Sequence, residues 1–288
     1  MSRATVLDAP AKLNLTLEVL GRRGDGYHEI ASVFATVALC DRVRVAPHRR
    51  LDVRIAPDVG APPGDDLASR AVRALAERCA RAPTAYVRIA KRIPVAAGLG
   101  GGSSDAAAVL RGLVRAWRLD AGVDLAAIGA GLGSDVPFFI AGAPYAHVRG
   151  RGERVDPLRP PPPGIWVVLV RVPVRVRTAD VYAALRSDER GRGERTAALV
   201  GAFQRGALTP ATIREHLGND LAAAAERVAP AIRTVREAAA SSGITLALSG
   251  SGPTLFAVAD DRANALRLAR RLRRKELRAR PYALGVTP

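Results

Sequence analysis

The sequence predicts an α+β protein built as two domains, and three features predict it. Residues 11–20 alternate apolar and polar side chains, which is the period of a strand. The segment Pro94-Val95-Ala96-Ala97-Gly98-Leu99-Gly100-Gly101-Gly102-Ser103-Ser104-Asp105-Ala106-Ala107-Ala108 crowds four glycines into five positions and then opens into a helix-favouring run. Arg159-Pro160-Pro161-Pro162-Pro163-Gly164 is a stiff spacer that divides the 288 residues into 1–160 and 161–288.

Within residues 11–20, Ala11, Leu13, Leu15, Leu17 and Val19 share one face, and Lys12, Asn14, Thr16 and Glu18 share the other. The expectation is a half-buried strand. A glycine-rich turn at 21–26 follows, then Tyr27-His28-Glu29-Ile30, with further strands at 43–45 and 51–55. Leu67, Val72, Leu75 and Ala76 fall at helical spacing within 66–81, and 86–89 reads as a strand leading to the glycine segment. A helix then runs to about Leu119, and a shorter one at 125–131 opens into Leu132-Gly133-Ser134-Asp135-Val136-Pro137-Phe138-Phe139. Beyond the spacer, a strand is expected at 165–172, a helix from about Ala179, and helices near 210–226 and 230–242. A hairpin-like pair at 244–248 and 255–258 brackets Ser249-Gly250-Ser251-Gly252-Pro253. An arginine-rich helix at 262–280 and a strand at 282–286 complete the reading.

No apolar run approaches the roughly 20 residues of a membrane span, and Asp8 and Lys12 interrupt the N-terminal region, so neither a membrane nor a signal peptide is expected. Cys40 and Cys79 sit in no metal or redox spacing, which suits a reducing cytoplasm. The net charge of +17 raises nucleic acid as a partner. Its distribution argues against one: nine basic residues crowd into 262–280, the rest scatter, and no nucleic-acid motif is present. Of the 44 basic residues 41 are arginine, which makes the three lysines, Lys12 among them, the informative exceptions.

Glycine lets backbone approach a ligand closely, and a helix start directs unpaired N–H groups and a positive dipole end at it. The segment 94–104 therefore reads as a phosphate cradle. It is not a Walker A loop, because Ser103 rather than a lysine follows Gly102, and it fails the Gly-x-Gly-x-x-Gly fingerprint at Ser103. Taken alone, Asp135 reads as a helix cap, Gly250-Ser251-Gly252 as a turn and Tyr27-His28 as packing. Their order along the chain adds what the single features lack.

Ala9-Pro10-Ala11-Lys12-Leu13-Asn14-Leu15, Gly24-Asp25-Gly26-Tyr27-His28, Gly98–Ala107, Gly133-Ser134-Asp135-Val136-Pro137 and Leu248-Ser249-Gly250-Ser251-Gly252-Pro253-Thr254 together cover the chain nearly end to end. They resemble the galactokinase, homoserine kinase, mevalonate kinase and phosphomevalonate kinase superfamily. The first two segments are similar, within it, to the 4-diphosphocytidyl-2-C-methyl-D-erythritol kinase family. The resemblance implies an α+β two-domain small-molecule kinase with its active site in the interdomain cleft, a monomer or homodimer using ATP and Mg²⁺. It implies transfer to the 2-hydroxyl of a cytidine-diphosphate-linked polyol in the non-mevalonate isoprenoid route. Asp135 would be the base and Lys12 would orient and stabilise. Pro94, Val95, Ala96, Ala97, Gly98, Leu99, Gly100, Gly101, Gly102, Ser103 and Ser104 would hold ATP. Asn14, Tyr27, His28, Tyr182, Gly250, Ser251 and Gly252 would bind substrate, with no direct protein ligand assigned to the metal. Asp66-Leu67 departs from the Asn-Leu common near the family's adenine pocket. Asp105 is expected to complement the helix dipole or support Mg²⁺ indirectly. His48, His147 and His216 have no partners at catalytic spacing.

Overall fold

Two apolar runs around a two-glycine turn favour a long hairpin, and such a hairpin is the frame of the protein. A computed structural model describes residues 4–62, 64–120 and 122–287. Strand β1 (Thr5–Arg22) pairs antiparallel with β2 (His28–Ala46) along its whole length, from Thr5 opposite Val45 to Arg22 opposite His28. Tyr27-His28-Glu29-Ile30 thus leads directly into β2. β3 (Asp52–Ala56), helix α1 (Leu67–Arg78) and β4 (Tyr86–Ala90) come next, and Asp66 caps α1 by accepting from the Ser69 N–H at 2.8 Å. The glycine segment feeds α2 (Gly101–Trp117), followed by α3 (Leu125–Leu132), α4 (Val136–Ala141), β5 (Tyr145–Gly150) and β6 (Arg154–Pro157).

After the proline run come β7 (Trp166–Arg171), α5 (Thr178–Ala183), α6 (Glu194–Gln204), α7 (Pro210–His216), β8 (Gly218–Asn219), α8 (Ala222–Val228) and α9 (Ala231–Ala240). β9 (Ala247–Leu248), β10 (Leu255–Ala259), α10 (Arg262–Arg273) and β11 (Arg278–Ala283) close the order. One sheet runs β3-β4-β2-β1-β8, with β5 on β2 and β6 on β5; a second runs β11-β7-β10-β9.

Three expectations need correcting. The strand at 11–20 is not half-buried: Lys12, Asn14, Thr16 and Glu18 are all under 5% exposed. Its odd-numbered face (Ala11, Leu13, Leu15) packs with Leu169, Phe256 and Val258 of the second sheet, and its polar face is covered too. The stretch 210–226 is two helices, because β8 interrupts it to pair in parallel with Thr16 and Leu17 of β1. The arginine-rich helix ends at Arg273: Lys275 and Leu277 N–H groups fold back onto the Leu272 carbonyl, Glu276 takes φ 61°, and the chain returns as β11. The sequence reading passed over β5, β6 and α6 altogether. Cys40 and Cys79 are free and half-buried, and no helix of the described residues is long and apolar enough to cross a membrane.

Candidate active site

The glycine segment is fixed on three sides. The Lys12 N–H donates to the Leu99 carbonyl at 2.9 Å, joining β1 to the loop. The Ser249 hydroxyl donates to the Gly98 carbonyl at 3.0 Å, and the Thr254 N–H donates to that of Ala97. Gly98 holds φ 73°, and a Cβ there would lie 2.5 Å from the Ser249 carbonyl oxygen and 2.8 Å from that of Gly252. Only glycine fits so close an approach. The two glycine motifs, 150 residues apart in the chain, are therefore in direct contact. Gly100 starts α2 in the left-handed conformation with no side-chain cap, and the first helical bond runs from the Ser104 N–H to the Gly100 carbonyl. The N–H groups of Gly101, Gly102 and Ser103 thus have no helical partner and point out of a 17-residue helix at its positive end.

Over that end stands a polar cluster from β1. Lys12 Nζ donates to Asn14 Oδ1 at 2.8 Å, lies 3.3 Å from Asp135 Oδ2, and sits 4.4 Å from the Phe34 ring centre. Asn14 Nδ2 in turn donates to Ser32 Oγ at 3.0 Å. Asp135 occupies the N-cap position of α4 yet makes no capping hydrogen bond; its carboxylate faces the lysine. Gly250 closes the cluster: a Cβ there would stand 3.5 Å from Asn14 Oδ1 and 3.7 Å from Lys12 Nζ. Asn219 holds that turn, donating to the Leu248 and Gly250 carbonyls at 2.9 and 2.8 Å. The Thr178 and Ser251 hydroxyls are 2.9 Å apart.

On the far rim, the His28 and Tyr182 rings stack with centres 4.9 Å apart and an interplanar angle of 27°. Burial, helped by the Arg190 and Arg22 charges, pushes the imidazole below its ordinary pKa, so it is held neutral. Burial raises the Tyr182 phenol, with Asp135 and Asp220 adding to it. Tyr27 is half exposed, and the Arg151 guanidinium lies 5.0 Å from its ring centre.

Beneath the loop lies a second, buried cluster. Lys91 is bonded to Asp41 Oδ2 and, at 2.6 Å, to Asp105 Oδ2, while Asp41 Oδ1 also accepts from the N–H groups of Arg92 and Ile93. Asp105, which with Lys91 also lines the cleft, is held by that lysine. It anchors the first turn of α2 to the strand end before the loop, and burial lifts its carboxyl to about 7 against the pull of Lys91.

A cleft of about 1260 Å³ joins these groups, and it is lined by every predicted position except Ser104 and Gly252. Those two lie off the lining. Ser104 is buried in the first turn of α2, and Gly252 packs against Leu248 and Ile232. Asn219, Lys91 and Arg151 escaped the sequence reading, although the rarity of asparagine and lysine in this chain was a usable signal for the first two. Among the described residues, no group of three or more His, Cys, Asp or Glu is placed to hold a metal ion.

The models of the GHMP kinases N terminal domain and GHMP kinases C terminal match residues 66–143 and 199–278. A 4-diphosphocytidyl-2-C-methyl-D-erythritol kinase of Shouchella clausii is 40% identical over 273 residues, covering 93% of this chain and 90% of that relative. The chain belongs to the GHMP kinases, among the 4-diphosphocytidyl-2-C-methyl-D-erythritol kinases. A crystal structure of a 4-(cytidine 5'-diphospho)-2C-methyl-D-erythritol kinase superposes with a TM-score of 0.79 at 37% identity, covering 98% of this chain and all of that one. Homoserine kinase from Cytophaga hutchinsonii shares the fold, with a TM-score of 0.76 at 16% identity over the whole of this chain and 96% of its own. A member of this kinase family is an ATP-dependent phosphotransferase with an alcohol group as acceptor.

Proposed function

We propose that the cleft transfers the γ-phosphoryl group of ATP to the 2-hydroxyl of 4-diphosphocytidyl-2-C-methyl-D-erythritol, a step in isoprenoid precursor synthesis. The observation that carries the residue roles is the Lys12–Asp135 pair, 3.3 Å apart above the uncapped start of α2. The hydroxyl oxygen forms the new bond to phosphorus as the bond to the bridging oxygen of ADP breaks. The proton passes to Asp135 Oδ2. Lys12 holds the acceptor oxygen and offsets charge gathering on the transferring group. Asn14 fixes the lysine, and backbone N–H groups of 101–103 hold phosphate oxygens. Mg²⁺, when bound with ATP, would neutralise phosphate charge, and Ser103, which lines the cleft at the end of the glycine loop, would be the hydroxyl available to hold it.

Residues 1–160 supply this ATP-binding half, and 161–288 close over the substrate through Gly250 and Ser251. His28 meets the cytosine edge through one ring nitrogen, as a single donor or acceptor. Tyr182 braces that ring by stacking on it, and Tyr27 supplies an exposed face for the base.

The test is ADP release by the purified protein with ATP, Mg²⁺ and 4-diphosphocytidyl-2-C-methyl-D-erythritol, beside homoserine and mevalonate. Turnover with the cytidylated alcohol alone is expected. Turnover with another alcohol instead would remove Tyr27 and His28 from the base pocket.

A further inference from the structure

The arginine-rich stretch 262–280 lines no part of the catalytic cleft, yet the fold gives it a definite place. Because α10 stops at Arg273 and the chain returns as β11, Arg273, Arg278 and Arg280 reach one rim. Arg171 of β7 and Arg92, just ahead of the glycine loop, reach it from two further elements. All five line a single cavity of about 760 Å³ that has no Asp or Glu in its wall. Pro94 and Leu99 belong to both this wall and that of the catalytic cleft, so the cavity backs onto the glycine loop.

The charge here is uncompensated. Arg278 stands directly opposite Arg171 in the β11–β7 ladder, an arrangement that costs stability. Among the described residues none of the five forms an ion pair. Their one side-chain hydrogen bond runs from Arg273 Nε to the Ala279 carbonyl. Guarding an edge strand against pairing would account for Arg278 and Arg280 on β11. It does not account for Arg92, Arg171 and Arg273, which converge from elsewhere. A concave site of this volume is in the small-molecule range, and guanidinium forks match phosphate oxygens two at a time. The wall carries one aromatic residue, Tyr282, too few to stack successive bases of a nucleic-acid strand.

We propose that this cavity binds a small multivalent phosphorylated anion of the diphosphate class, separately from the catalytic cleft. Calorimetric titration with inorganic pyrophosphate tests it, using the full chain saturated with a non-hydrolysable ATP analogue so that the glycine loop is filled. Roughly one further equivalent should bind. In the Arg278→Ala/Arg280→Ala variant the affinity should fall about tenfold or more, and Arg92→Gln, on a different element, should weaken it severalfold. An Arg267→Ala/Arg270→Ala control, whose positions lie outside the cavity wall, should bind as the parent does. ADP release without pyrophosphate should be unchanged in the double variants. No binding once the glycine loop is filled, or equal weakening in both double variants, would overturn the proposal. So would displacement of pyrophosphate by a single-stranded oligonucleotide, which would make nucleic acid the ligand.

Discussion

Two lysines flank the glycine loop, and their surroundings are opposite. Lys12 meets a single carboxylate, Asp135, whose side chain is 28% exposed in the cleft, and shares its remaining bonds with an amide and an aromatic face. Lys91 is clamped between Asp41 and Asp105, neither more than 6% exposed. The same pairing of charges serves two ends. The partly exposed carboxylate faces the cleft beside its lysine; where both carboxylates are buried, the cluster joins strand, loop and helix into one unit at the cleft wall.

Removing the partly exposed carboxylate should have the largest effect. Asp135→Asn is expected to lower kcat by about 10²–10⁴-fold while KM for ATP and thermal stability stay close to the parent. Steady-state ADP release and a melting curve read both, and a variant keeping most of its kcat would take the proton-accepting role from Asp135. The buried cluster should fail differently. Lys91→Met leaves two buried carboxylates without their cation, and the expected loss is about 3–5 kcal/mol of stability in urea unfolding. If Lys91→Met instead spared stability and abolished turnover, the contrast between the lysines would collapse.

Smaller effects refine the same contrast. Tyr27→Ala removes a half-exposed ring at the cleft mouth, so KM for the cytidylated substrate should rise by about 5–100-fold, the worth of one stacked base. Its melting temperature should not move; an unchanged KM would discard the stacking role. The gentlest probe is pH. Burial raises the Asp105 carboxyl to about 7, with Asp41 adding to the rise and Lys91 opposing it. A carboxyl whose pKa is higher folded than unfolded stabilises the fold most when protonated. Its contribution is complete below the ordinary carboxylate range and is lost as pH climbs through about 7. Relative to Asp105→Asn, the parent should therefore lose up to about 1.4 kcal/mol per pH unit between pH 5 and 7. Urea midpoints showing a constant difference over that interval would contradict the assignment.

Much of this was legible in the residues, and the misses have physical causes. Period-two and helical spacing located β1, β4 and α1, and a continuous apolar run located β7. The rarity of lysine and asparagine pointed to Lys12 and Asn14, and the same rule unapplied would have reached Lys91 and Asn219. Spacing was misleading where an element is defined by its neighbour. β8 is two residues that exist as strand only because β1 lies beside them. The polar face of β1 looked like a solvated face because period two shows which side chains share a side, not what covers them. Ser104 and Gly252 belong to the glycine motifs yet do not line the cleft.

The sequence by itself determined the family, the glycine loop ahead of a helix and the order of chemical groups along the chain. These are local: they rest on backbone freedom at glycine, on helix starts and on residue type. Tertiary structure alone decided which carboxylate is partly exposed and which are buried, that the loop at 98 abuts the turn at 249–252, and that arginines from four segments share one cavity. Burial and electrostatic pairing depend on distance in space, and only the packing of the two sheets sets that distance.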